Sequence, residues 1–535
     1  MIYFIPAWYK ADTYHENEQK WYARRLRTEF DDTVKQIQLF NRKAAYPYSI
    51  LLPGYAPNFR HFLHRQGVYH APYISIFDSI QHVRTKQMYV LSFHDLNWPE
   101  NIEFVYTNFV IMGYVNKKKY AQIEFGEDGN PIQVDIFVDE KLRRSNFYDD
   151  RGFLSSTMLF ENGKPVTLDY LTPDGVWKLR MFYSDSHVEV NPEAATYIIP
   201  FEGEETEHEF KEQSYENIQS VIEEVLKAYV KMTDYEDIFC IAMHEQNMEF
   251  LKNIFRRKKT VLSFFEDRIN INDTIKLAPI VDRAGFVIAD SKTSTARLRV
   301  LYKSIRNRIT DITPYDSRVD FGISAQLNVQ KILFPIDGLE DRVFDDAVRY
   351  LAEYMEKNVS AQVHILTRLS DYDLEDKVMK KVKTILNRDD DEELFFQEEE
   401  TGTEAENEII DEDEEASEKN VRFFFEQCVD ELSVSRCMRT QRVMVDLRKI
   451  PDLYLQISCI SMGIPQIVRS QTEYVEHMKN GQVINHTSDL SKALDHYLDG
   501  LSNWNEALIH SYEIGKQYTT EIILERWRKV IETFE

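Results

Sequence analysis

Short apolar runs alternate with helical periods at the start of this chain, and that alternation limits the fold more than any other feature. Ile2–Trp8 reads as a strand buried on both faces. The stretch Trp21–Arg42 follows with helical spacing, since Phe30, Val34, Ile37 and Phe40 fall three or four apart. Ser49–Leu52 and Tyr73–Phe77 are further strands, and Phe59, Phe62 and Leu63 mark a helix between them. Strands separated by helices predict βαβ units and a mainly parallel sheet.

Near residue 86 the texture changes. Short alternating runs, among them Ile132, Val134, Ile136 and Val138, are separated by Asp-Gly or Asn-Gly turns at Glu127–Pro131, Glu161–Pro165 and Thr172–Gly175. Asn or Asp before Gly supplies the positive φ angles that tight hairpins need. An antiparallel meander is therefore expected over 86–200, inserted between two parts of one Rossmann-like lobe, 1–85 and 201–315. Helical spacing returns at Tyr215–Lys231, with strands at Ile238–Met243, Thr260–Phe265 and Gly285–Ala289.

A second Rossmann-like lobe is expected over 316–510. It has strands at Lys331–Pro335, Gln362–Leu366, Val443–Leu447 and Leu453–Ile457 and a helix near Asp341–Lys357, and a separate closing helix is expected after it over 511–535. Its centre is interrupted by an acid tract. Residues 389–418 hold seventeen acids and no base, so like-charge repulsion predicts an extended, mobile loop that folding can spare. A length of 535 residues fits two large domains.

Composition removes several function classes. Most of the net charge of −26 sits in the acid tract, but the remainder is also acidic, which disfavours nucleic-acid binding. Cys240, Cys428, Cys437 and Cys459 are scattered without C-x-x-C spacing, so neither a metal site nor a disulfide framework is expected. The apolar start lacks the basic region of a signal peptide, and no apolar run of about 20 residues predicts a membrane span.

Two lobes of this kind leave a cleft at their strand ends, where ligands commonly bind. The candidate residues are few. His244 follows a strand. His61 and His64 share a helix face, without a carboxylate at metal-motif spacing. Asp78, Asp95 and Glu245 are acids near strand ends, and Arg297 and Arg299 are candidate phosphate ligands.

The segment Leu453–Val468, with Gly463 and Pro465 punctuating it, resembles the C-terminal lobe of GT-B glycosyltransferases. Those enzymes typically read EAMAxGxPVI here. The resemblance extends through Glu473–Val483 and Ser488–Leu494. Such enzymes commonly carry a Glu-x7-Glu pair, one carboxylate for the donor sugar and one for its ribose. Aligned on Gly463 and Pro465, those positions fall at Ile450 and Ser458, neither anionic. They also carry an Arg and a Lys after the first strand of the lobe. Here that segment is Phe334–Asp341, in which acids and no nearby Lys stand in their place. An acidic lining repels a diphosphate, and Arg342, the cation that could compensate, is expected on the following helix. Ile450, Ser458, Gly463 and Pro465 are thus vestigial donor-site positions, with no catalytic residue, cofactor or metal expected.

Over nearly its full length the chain resembles the accessory Sec system Asp-one family, the first of the accessory secretory proteins of Gram-positive bacteria. The blocks that carry this are Tyr3–Tyr9, Tyr55–Gln66, Ile76–Gln81, Leu455–Ser458 and Gly463–Ile467. The meander, with Asp150–Ser156 and Asp174–Trp177, also resembles the β-insertion of the glycosyltransferases that modify serine-rich repeat adhesins. The resemblance implies an α/β fold of two Rossmann-like lobes in a GT-B-like arrangement, without catalysis. It implies a complex with the second and third accessory secretory proteins, and delivery of a glycosylated serine-rich adhesin to the accessory SecA motor. The expected place is the cytoplasm, with peripheral association at the inner face of the membrane left open. Two alternatives stand beside it: an active GT-B glycosyltransferase using a nucleotide-sugar donor, and a stabilising partner of such an enzyme with no role in export.

Overall fold

The structure, a computed structural model, describes residues 1–9, 30–43, 46–371, 373–386 and 422–534. The acid tract 389–418 and the first part of the expected helix Trp21–Arg42 lie outside the described residues. The described residues form two compact units. The first runs to Pro314 and takes back the end of the chain from Arg526; the second runs from Tyr315 to Glu525 and takes in Phe30.

The first unit is built on a seven-stranded parallel sheet. Its order is Ile309–Asp311, Phe286–Ala289, Lys259–Phe264, Ile238–Ala242, Ile2–Ile5, Tyr48–Leu52 and Tyr73–Ser75. Every residue of Ile2–Ile5 is buried, as expected of a strand with a neighbour on each side and helices on both faces. Its partners are Tyr48–Leu52 and a strand far along the chain, with Ile2 opposite Ile238. Val34, Ile37 and Phe40 of the helix Asp32–Lys43 are buried. Trp527, from the closing helix, meets the rings of Phe4 and Phe40 edge-on at 6.1 and 5.5 Å.

Between Tyr73–Ser75 and Ile238–Ala242 lies a ten-stranded antiparallel sheet. It begins with Ile102–Tyr106 at one edge and ends with Ser214–Tyr215 at the other. The expected turn glycines take positive φ, 82° at Gly129, 77° at Gly163 and 82° at Gly175. The sheet continues past the expected boundary at 200, because Tyr215 pairs with Val188. A separate hairpin, Thr196–Phe201 with Glu204–Glu209, intervenes. A two-residue strand is too short to show a period, so the end of the sheet is not legible in the sequence.

The second unit has a six-stranded parallel sheet in the order Phe423–Gln427, Ala361–Thr367, Gln330–Pro335, Gln441–Asp446, Gln466–Val468 and Gly481–Val483. Its core joins Ile332, Phe334, Val363 and Val445 to Val348 and Leu351 of the helix Asp341–Lys357 and to Leu494 of Leu490–Leu498. One expected strand is absent. Leu453–Ile457 belongs to the helix Leu453–Met462, whose N-terminus Asp452 caps by accepting from the Tyr454 and Leu455 amides at 3.0 and 3.2 Å. A short helix that is apolar nearly all round has the same sequence texture as a buried strand. The closing helix, expected over 511–535, is two elements, Ser502–Gly515 and Thr520–Glu532, separated by the short 3-10 turn Lys516–Tyr518.

Candidate functional site

The candidate site lies in the second unit, where the strands Gln330–Pro335 and Gln441–Asp446 end. After Pro335 the chain turns through Asp337 and Gly338, the latter at φ 76°, into the helix Asp341–Lys357. Asp337 accepts from the Thr367 hydroxyl at 2.6 Å and the Arg368 amide at 2.7 Å. Asp446, fully buried, takes both arms of the Arg448 guanidinium at 2.7 Å each. Arg368 donates to Asp452 and lies 3.7 Å from the centre of the Phe30 ring, a cation–π contact. Burial by itself would raise the Asp452 carboxyl. Arg368 and Arg448 outweigh it and hold that carboxyl below its usual range. These acids are hydrogen-bonded and committed to holding strand ends and a helix start.

Beside them opens a cavity of about 420 Å³ lined by Glu340, Arg342, Asp346, Arg469 and His486, among others. Glu340 is reached by the Lys449 ammonium at 3.2 Å and by Arg469 at 3.7 Å. Lys449 and then Arg469 draw the Glu340 carboxyl below its ordinary value. The local sequence suggested an acidic lining with no lysine nearby. Folding changes that balance, because Lys449 and Arg469 follow other strands and converge on Glu340, and Arg342 lines the same cavity. The result is an open, charge-balanced polar pocket.

The four positions expected to mark a vestigial donor site separate into two kinds. Gly463 and Pro465 are structural. Gly463 ends its helix at φ 74°, and a Cβ there would lie 2.7 Å from Leu508 Cγ. The Pro465 carbonyl accepts from the Met444 amide at 3.0 Å and so joins two strands. Ser458 donates its hydroxyl to the Tyr454 carbonyl one turn back, at 2.7 Å. Ile450 is 68% exposed on the loop after Asp446. Neither position offers a carboxylate.

The remaining candidates have structural partners. His244 caps the helix Glu245–Asn253 by accepting from the Gln246 amide at 3.3 Å, and packs on the Tyr9 ring. His61 lies 3.6 Å from Glu127 and 3.9 Å from Asp128, whereas His64 meets the ring of Tyr69. Asp78 takes both arms of Arg151, and Glu245 pairs with Lys276. Asp95 sits in the short 3-10 turn Phe93–Asp95. Arg297 holds the Asn272 side chain, and Arg299 the Ile309 carbonyl. Arg368, Arg448, Lys449 and Arg469 were not anticipated. Their only local signal is a basic residue just past a strand.

Comparison with known proteins gives the same direction throughout. The family model described as accessory Sec system protein Asp-one matches residues 1–533. The Asp-one protein of Streptococcus gordonii is 33% identical over 538 residues, covering 99% of this chain and 98% of that one. A crystal structure of accessory secretory proteins 1, 2 and 3 of Streptococcus pneumoniae contains a chain that superposes with a TM-score of 0.80. It is 28% identical and is covered over 99%, with 100% of this chain. The pneumococcal O-GlcNAc transferase GtfA, solved with UDP and GlcNAc, superposes with a TM-score of 0.68 at 12% identity, covering 100% of this chain and 98% of that one. That likeness is one of fold, the GT-B glycosyltransferase fold. Among the described residues no helix is long and apolar enough to cross a membrane. With both lobes, the insertion and the closing helix inside the matched span, the chain belongs to the accessory Sec system protein Asp-one family.

Proposed function

We propose that this chain serves accessory Sec export as a non-catalytic component. In this reading it acts in a complex with the second and third accessory secretory proteins, handles a glycosylated serine-rich repeat adhesin and delivers it to the accessory SecA motor. Its place is the cytoplasm, with peripheral contact at the inner face of the membrane. The observation that carries the reading is at Ser458 and Ile450. Where GT-B transferases present two carboxylates, this chain has a hydroxyl turned back into its own helix and an exposed isoleucine. The solved complex of accessory secretory proteins 1, 2 and 3 from Streptococcus pneumoniae supports the choice of partners.

One observation favours the rival, an active transferase. Arg342 and Arg469 line the cavity and Lys449 pairs with its Glu340, so positive charge stands beside the acids. Calorimetric titration with UDP-sugars, run beside a sugar-transfer assay on the adhesin, separates the two. No transfer is expected, either by the native chain or by the double variant Ile450→Glu with Ser458→Glu. Restored carboxylates do not restore a site whose geometry must hold to about 0.5 Å. Transfer by the native chain would overturn the non-catalytic reading. Co-purification from native cytosol tests the partners: the second and third accessory secretory proteins are expected to come with it, and their absence overturns the complex.

A further inference from the structure

Cys428 and Cys437 lack the spacing of a metal motif, yet the fold brings them together. Strand Phe423–Gln427 carries Glu426 and runs directly into Cys428. A tight turn follows, fixed by a reciprocal cap in which Asp430 accepts from the Ser433 amide at 2.6 Å. The helix Glu431–Arg439 then presents Cys437. The two sulfurs and one Glu426 carboxylate oxygen all lie within 4.8 Å of one another.

We infer that Glu426, Cys428 and Cys437 form a binding site for a divalent ion of the zinc class, with water as the fourth ligand. Thiolate sulfur binds zinc at about 2.3 Å and carboxylate oxygen at about 2.1 Å, so tetrahedral ligand atoms stand roughly 3.5–3.8 Å apart. The three atoms need close by only about 1 Å to reach that spacing. Cys428 is buried, Cys437 half-buried, and the Glu426 side chain 30% exposed, which leaves an entry path from solvent on the Glu426 side.

The surroundings suit such an ion. His364, on the adjacent strand Ala361–Thr367, has Nδ1 2.8 Å from the Glu426 carboxylate and stacks on Phe424, so the carboxylate is held in place from behind. Metal sites are commonly supported by hydrogen bonds of this kind to their ligands. The Gln441 amide nitrogen is 3.8 Å from the Cys437 sulfur and donates to it. Binding releases one proton from each thiol. Two thiolates, one carboxylate and a divalent ion leave a single negative charge, which the nearby Lys331 ammonium offsets. The ion ties the edge strand of the six-stranded sheet to the helix that follows it.

The test uses the full chain, kept reduced, titrated with Co²⁺ and then with Zn²⁺. The expected result is one Co²⁺ per chain, with a near-ultraviolet thiolate-to-cobalt band that Zn²⁺ abolishes. Cys428→Ser and Cys437→Ser should each lose the band. Glu426→Gln, at a partly exposed position, should fold normally and bind more weakly. His364→Gln should weaken binding roughly 10–100-fold. If either cysteine variant fails to fold, Zn²⁺ protection of native Cys437 from alkylation, read by mass spectrometry, decides the matter. Absence of the band in the reduced chain, its persistence in folded Cys437→Ser, or alkylation of Cys437 unaffected by Zn²⁺ would each overturn the site.

Discussion

Asp150 caps a helix that begins some ninety residues earlier: its carboxylate accepts the Arg60 and His61 backbone amides at 2.9 and 3.0 Å and pairs with the Arg60 guanidinium. Arg60 also donates to Tyr73 at 2.8 Å and to Asp149 at 3.1 Å, and Arg151 links Asp149 to Asp78. These side chains belong to one unit and tie the turn at Asp149–Arg151 of the inserted sheet to the helices Phe59–Arg65 and Ile76–Gln81. A buried ion network contributes little net stability against an apolar alternative, but breaking it on one side is costly.

Asp150→Ala should therefore lose about 2–3 kcal/mol, because it leaves two helix amides without their acceptor and removes one of the two carboxylates paired with the buried Arg60 guanidinium. Asp150→Asn keeps an acceptor for the amides and should lose less. Urea unfolding of both variants checks this, and native-like stability in Asp150→Ala would contradict it.

A second buried cluster makes stability depend on pH. Arg268 lies 3.2 Å from Asp31 and 2.6 Å from Asp32. Burial and then the neighbouring Asp32 push the Asp31 carboxyl up to about 7, against the pull of Arg268. The folded chain then holds the Asp31 proton more tightly than the unfolded chain, so this group's contribution to stability falls as pH rises from about 4 through 7. Asp31→Asn removes the titration and keeps an acceptor for Trp8 and Thr33. Relative to the native chain, the variant should be better off at pH 8 than at pH 5. Thermal unfolding at the two values measures it, and a difference independent of pH would refute the assignment.

Gly463→Ala should destabilise the second unit. A left-handed residue with a Cβ costs about 1–2 kcal/mol from the backbone alone. Contact at 2.7 Å with Leu508 Cγ adds to that, unless the Ser502–Gly515 helix shifts. Denaturant midpoints report the loss, and an unchanged midpoint would mean that this helix end relaxes freely.

The inserted sheet offers the surface at which assembly should be sensitive. Its edge strand, Ile102–Tyr106, pairs on one side with Ile111–Val115, and Val105 and Tyr106 are 49% and 65% exposed. Edge strands can take a strand from a partner. Val105→Lys with Tyr106→Glu should weaken binding to the second and third accessory secretory proteins about tenfold or more, equivalent to about 1.4 kcal/mol. Circular dichroism should be unchanged. His244→Ala should leave binding and export near normal, since His244 serves a helix end. Full binding by a well-folded edge variant would move the interface elsewhere.

By itself the sequence determined the local geometry of this protein. The apolar runs at Ile2, Tyr48 and Ile238 became buried parallel strands, and the glycines at 129, 163 and 175 became turns, because strand burial and positive φ are properties of a few adjacent residues. It also shows that Ile450 and Ser458 carry no carboxylate, since residue identity needs no fold. What only the tertiary structure decided was which charges and sulfurs meet. Lys449 and Arg469 reach Glu340 and Arg368 reaches Asp452, because sheet order places distant strand ends side by side, whereas Glu426 joins Cys428 and Cys437 because the capped turn at Asp430 folds the next helix back beside its strand. Leu453–Met462 shows the same limit from the other side. Its apolar residues fit a helix or a buried strand equally well by period, and the Asp452 cap, with a neighbouring sheet to pack against, settled it as a helix.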